Sequence, residues 1–108
     1  MFFSFPALSG DFLSGDQITK AFSGKTIQWE HMFKDKSGKS YFSTDGKLTG
    51  IKNSSIREGK WHVENDELCV SWGKCLAIEP DGKGGFYKVK NGTKQVVHIK
   101  SVTDGNNL

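Results

Sequence analysis

From Thr26 to Val102 the chain is a succession of short runs rich in aromatic and β-branched residues, each followed closely by a turn signal. The runs are "TIQWEHMF", "SYFST", "KLTGIK", "GKWHVE", "ELCVSW", "CLAIE", "FYKVK" and "TKQVVHIKSV", about eight strands in all. Apart from the loops "NSSIRE" and "PDGKGG", the connections are hairpin-short, so each strand can pair only antiparallel with its neighbour. A meander of about eight strands closes most economically as a small up-and-down barrel of the lipocalin or avidin kind, because closure removes both exposed edges. A two-sheet sandwich is the alternative.

One short helix precedes the strands. "SGDQITKAFSGK" offers Ser14 or Asp16 as N-cap, Ile18, Ala21 and Phe22 at helical spacing, and Gly24 as the stop. The expected fold is therefore all-β: a single barrel domain over residues 13–108. Residues 1–12 read as an N-terminal arm or a signal remnant, since "MFFSFPALSG" is apolar but lacks a basic n-region.

With 35% hydrophobic and 25% charged residues in 108, the chain lies outside the composition of disorder and holds one core. The net charge of +3 comes from lysines spread along the whole length, densest at Lys34, Lys36 and Lys39. That pattern reads as a solvated surface and not as a nucleic-acid groove. No stretch approaches the roughly 18–20 apolar residues of a membrane span.

Turn geometry sorts side chains onto faces. A two-residue turn at Asn65-Asp66 sets Trp61 opposite Val70 and Val63 opposite Leu68 on one apolar face, with His62 opposite Cys69 on the other. A three-residue loop ending at Gly73 sets Cys69 opposite Cys75 and brings Leu76 and Ile78 onto the face of Leu68 and Val70. A turn at Ser37-Gly38 would set Phe33 opposite Phe42, so that Ile27, Trp29, His31 and Phe33 line one inward face. The "NG" hairpin leaves two faces open: Tyr87, Val89, Val96 and His98, or Phe86, Lys88, Val97 and Ile99.

Opposed cysteines on an antiparallel pair have Cα separations of roughly 4.5–5.5 Å, within reach of a disulfide. Two free thiols and a metal site with His62 are the other readings, though a fourth zinc ligand and a compact Cys-x-x-Cys spacing are missing. No metal, cofactor or catalytic set is expected. Trp29, His31, Phe33, Phe42 and Trp61 either fill the barrel or wall a pocket for a small apolar or aromatic ligand, with His31 as its polar handle. Trp72, at a hairpin tip, is a surface-contact candidate or folds back onto the barrel.

The motifs "SGKTIQW", "YFSTDGKLTG", "GKWHVENDELCVSWGKC", "GFYKV" and the terminal "GNNL" resemble a family of small, mostly proteobacterial proteins, the domain of unknown function 995-like group. The resemblance runs from about Leu13 to Leu108 and carries no established activity. It implies a small extracytoplasmic β-domain, periplasmic or secreted, and cysteines at the positions of Cys69 and Cys75 that favour a bridge. The chain departs from the group in lacking a clear signal peptide.

The leading functional expectation is a non-enzymatic barrel that binds a small apolar ligand or acts as an extracytoplasmic interaction module. The alternatives are a protein inhibitor using the N-terminal arm and an enzyme with His31 at the barrel mouth. No nucleic-acid partner is expected.

Overall fold

The computed structural model describes residues 11–108, so the N-terminal arm on which the inhibitor reading depends lies almost wholly outside the described residues. Ser14 caps helix α1 (Gly15–Phe22): its hydroxyl accepts from the Gln17 amide at 3.3 Å while the Gln17 side chain accepts from the Ser14 amide at 2.8 Å. Ile18 and Phe22 are fully buried, and the Phe22 ring lies 5.6 Å from Phe42 and 5.3 Å from Phe86. The helix thus closes one end of the sheet with its apolar stripe.

Eight strands follow: β1 (Lys25–His31), β2 (Ser37–Phe42), β3 (Lys47–Lys52), β4 (Ser55–Glu64), β5 (Glu67–Val70), β6 (Ala77–Pro80), β7 (Phe86–Lys90) and β8 (Lys94–Asp104). All pairings are antiparallel, in the order β5-β4-β3-β2-β1-β8-β7-β6. Because β1 pairs with β8, the meander is a ring with a single seam between β5 and β6. Leu68 and Leu76 exchange backbone hydrogen bonds of 2.9 and 3.0 Å across that seam, and the Cys69–Cys75 disulfide ties the adjacent pair. Nearer the helix end, the Leu13 amide donates to the Ile78 carbonyl at 2.8 Å, covering the remaining edge of β6. The fold is a nearly closed eight-stranded barrel.

At the other end of the chain, the Gly105 amide donates to the Gly24 carbonyl at 2.8 Å and the Asn107 amide to the Thr26 hydroxyl at 2.9 Å. "GNNL" is a strap over β1.

The Asn65-Asp66 turn forms as expected. Both residues adopt left-handed backbone, φ 52° and 59°, which asparagine and aspartate tolerate better than other side chains. The resulting register is Trp61↔Val70, His62↔Cys69 and Val63↔Leu68. The expected turn at Ser37-Gly38 does not form. Both residues lie inside β2, paired as Glu30↔Ser37 and Trp29↔Gly38, and the connection is the loop 32–36. Gly38 is there to accommodate the indole of Trp29, since a Cβ would meet Trp29 Cζ2 at 3.0 Å and the Ile51 carbonyl oxygen at 2.5 Å. Phe33 consequently has no place opposite Phe42 and is 63% exposed.

The β7–β8 hairpin resolves in favour of Phe86↔Ile99 and Lys88↔Val97 inward and Tyr87↔His98 outward. A bulge beyond Lys88 then pairs Val89 with Gln95. The extra residue breaks the period of two, which is why neither face read cleanly from the sequence.

Candidate functional site: the barrel end away from the helix

The interior changes character along the barrel axis. Toward the helix end, Ile27, Phe42, Leu48, Leu68, Phe86 and Ile99 are buried to within a few per cent. Toward the far end the inward-facing Trp29, His31, Val70, Trp72, Lys88 and Val97 are only partly buried.

Glycines shape that end. Gly38, Gly50 and Gly59 lie on neighbouring strands and all point inward by register. A Cβ on Gly50 would stand 3.3 Å from the Trp72 ring, and one on Gly59 would stand 2.9 Å from that ring and 2.1 Å from Ser71 Oγ. The indole of Trp72 therefore folds back into the barrel over the glycines, the second of its two expected placements, and does not stand out at the hairpin tip as a surface contact. Arg57 carries its guanidinium 5.0 Å from the centre of that ring. Trp29 fills the adjacent space and donates its indole N–H to Ser40 Oγ at 3.2 Å.

The five expected pocket residues do not converge. Phe42 and Trp61 belong to the packed helix-end core, 1% and 8% exposed, with rings edge to face at 5.4 Å. Trp61 also donates to the Ser43 carbonyl at 2.8 Å. Trp29 and His31 lie at the far end, whereas Phe33 projects from the loop 32–36 with the Lys94 ammonium 4.7 Å above its ring. His31 accepts at Nδ1 from the amides of Phe33 and Lys34, each at 3.1 Å, and so caps that loop. Burial, followed by the charges of Lys34, Lys36 and Lys94, holds its pKa below the ordinary histidine value. His31 is a neutral, hydrogen-bonded structural group whose Nδ1 lone pair is already engaged.

Lys88 is the residue that sequence reasoning left undecided. It faces inward between Ile78 on β6 and Val97 on β8, and Val97 in turn pairs with His31 on β1. Among the described residues the Lys88 ammonium has no hydrogen-bond or ion-pair partner. Burial alone pushes its ammonium down to about 8. Arg57 beside Trp72, and Lys34, Lys36 and Lys94 around the neutral His31, add positive charge at this end, with Asp35 in the same loop. The signal that could have found Lys88 was the β7 face it shares with Phe86, once Phe86 was assigned to the core.

Two polar clusters lie on the outer face. His98 Nε2 and Asp81 Oδ2 are 2.9 Å apart, and the His98 ring stacks on Tyr87 at 4.7 Å. On the other side, His62 Nε2 and Glu64 Oε1 are 3.0 Å apart, and with Cys69 Sγ these donors lie within 4.8 Å of one another. A groove of about 420 Å³ lies against β1 and β2, lined by Gln28, Trp29, Gly38, Lys39, Ile51 and Leu108 among others.

No family model matches the chain, and no curated protein or solved structure is significantly similar to it. Among the described residues no helix is long and apolar enough to cross a membrane.

Proposed function

We propose that this protein is a non-enzymatic binding barrel whose far end takes a small amphipathic anion, its carboxylate on Lys88 and its apolar body against Trp29, Trp72 and Val97. The carrying observation is Lys88 itself, an inward-facing ammonium without a counter-charge among the described residues. An unpaired charge partly withdrawn from water is costly, and a bound carboxylate offsets that cost by forming a charge-assisted pair. The partly buried indoles and valine supply the apolar contact that orients the rest of the ligand. An extracytoplasmic site of action, periplasmic or secreted, accords with the intramolecular disulfide, which persists in oxidising compartments. Membership of the domain of unknown function 995-like group belongs to the same proposal.

The enzyme reading is weaker because His31 spends Nδ1 on two backbone amides. Titration with decanoate, read by tryptophan fluorescence, tests the binding reading, with decanol as the neutral control. Saturable quenching or enhancement by decanoate, lost in Lys88→Met and much weaker for decanol, is the expected result. Equal responses of wild type and Lys88→Met would overturn it.

A further inference from the structure

We infer that the barrel seam is a redox-controlled metal site: when the Cys69–Cys75 disulfide is reduced, the two thiolates join His62 and Glu64 to bind one zinc(II) ion. The inference is independent of the ligand proposed for the interior and rests on different residues.

Three of the four donors, His62, Glu64 and Cys69, are already assembled, and Cys75 adjoins the third through the disulfide. His62 sits directly opposite Cys69 in the β4–β5 hairpin, and Glu64, two residues further along β4, shares its outer face. His62 Nε2 and Glu64 Oε1 are in contact at 3.0 Å, and both lie within 4.8 Å of Cys69 Sγ. The Leu68↔Leu76 bridge places Cys75 beside Cys69 by backbone hydrogen bonds that do not involve the sulfurs. With metal–ligand distances of about 2.0–2.3 Å, two donors on a zinc tetrahedron lie roughly 3.3–3.8 Å apart. Binding therefore draws Cys69 Sγ toward His62 and Glu64 by up to about an ångström, while the two sulfurs, released from their bond, separate to about 3.8 Å. Two thiolates, an imidazole and a carboxylate suit zinc better than magnesium or calcium, which want all-oxygen shells. Glu64 is the fourth ligand that the sequence reading passed over, although the period of two already puts it on the His62 face.

The chemistry balances with a dithiol as the reductant. One thiolate of the dithiol attacks Cys75 Sγ, which is the exposed cysteine, while Cys69 is 3% exposed. The S–S bond breaks with its electron pair going to Cys69 Sγ. The second dithiol sulfur then attacks the mixed disulfide, expelling Cys75 as thiolate and leaving as a cyclic disulfide. The protein gains two electrons, and the two thiol protons pass to solvent as zinc binds. The same seam is then held by a covalent bond in an oxidising compartment or by a metal in a reducing one.

Cobalt(II), a visible stand-in for zinc(II), tests this on the full chain, with far-UV circular dichroism recorded alongside. The dithiol-reduced protein should bind one cobalt ion per chain, with the intense visible bands of a tetrahedral site and a thiolate charge-transfer band, while keeping its strand signal. The oxidised protein should show neither band. Reduced His62→Ala and Glu64→Gln should bind roughly 10–100-fold more weakly, and zinc should displace the cobalt. The inference is overturned if the oxidised protein develops the same bands, or if His62→Ala binds as tightly as wild type. It is equally overturned if the reduced chain loses its strand signal and cobalt does not restore it.

Discussion

Leu68 and Leu76 exchange both backbone hydrogen bonds across the β5–β6 seam, and Cys69 and Cys75, the next opposed pair, are covalently joined. A single bridge and a single disulfide thus do there what a full ladder does at each of the other interfaces. The disulfide closes a seven-residue loop (Cys69 to Cys75, sequence separation 6), for which chain entropy gives about 2 kcal/mol. Without metal, Cys69→Ala/Cys75→Ala should lower the melting temperature by on the order of 10 °C. Calorimetry on the double variant checks this, and an unchanged melting temperature would show that the backbone bridge holds the seam alone.

Gly59 is fixed by what lies over it. An added methyl would enter the space of Ser71 Oγ and the Trp72 ring, both within 3 Å of the Cβ position. Overpacking of this kind costs about 1–3 kcal/mol. Gly59→Ala should therefore be destabilised in urea, and its fluorescence should shift to the red as Trp72 is displaced toward solvent. A stable variant with an unmoved spectrum would contradict the placement of Trp72.

Asp81 gives the fold a defined acid sensitivity. Burial works to raise its carboxyl, but the His98 hydrogen bond, the Lys83 and Gly85 amides and the His98 charge together outweigh burial and hold it below the ordinary value. The amides donate at 2.7 and 2.9 Å. A carboxyl depressed in the folded state contributes stability that is complete above its unfolded value of about 3.9 and is lost as pH falls through the lower folded value. Asp81→Asn should cost about 1–3 kcal/mol at neutral pH. Its stability gap to wild type should close as pH falls through the folded Asp81 value, measured by urea unfolding at several pH values.

Much of this architecture was legible because turn chemistry is local. Asn65-Asp66 announces a left-handed two-residue turn, and that turn dictates Trp61↔Val70 and His62↔Cys69 without further information. "SG" at Ser37-Gly38 was misleading for a non-local reason: the glycine answers Trp29 on the neighbouring strand, and nothing in its own neighbours reveals that. Phe33 was displaced with it, whereas His31 kept its inward place. Lys88 stayed undecided because its facing depends on a bulge in the β7–β8 hairpin, whereas Glu64 shares the His62 face by the period of two and was simply not singled out.

Lys88 also makes stability rise with pH. Below about 8 the folded and unfolded chains both hold its proton, and the fold carries the full cost of the buried ammonium. Between that value and the unfolded value of about 10.4, the unfolded chain binds more protons, so stability grows with pH. Lys88→Met should be more stable than wild type at pH 7 by about 1–3 kcal/mol, allowing for the residue's remaining exposure. Urea unfolding from pH 7 to 10 should show the gap narrowing; a destabilised variant would contradict the placement of Lys88.

The account turns on the state of that ammonium, which nuclear magnetic resonance of the ¹⁵N-labelled Lys88 side chain reads directly. In the free protein its titration midpoint is predicted at about 8, and with saturating decanoate it should move well upward as a carboxylate pairs with it. A midpoint already at the ordinary lysine value in the free protein, or one that decanoate leaves unmoved, would contradict the binding site at Lys88.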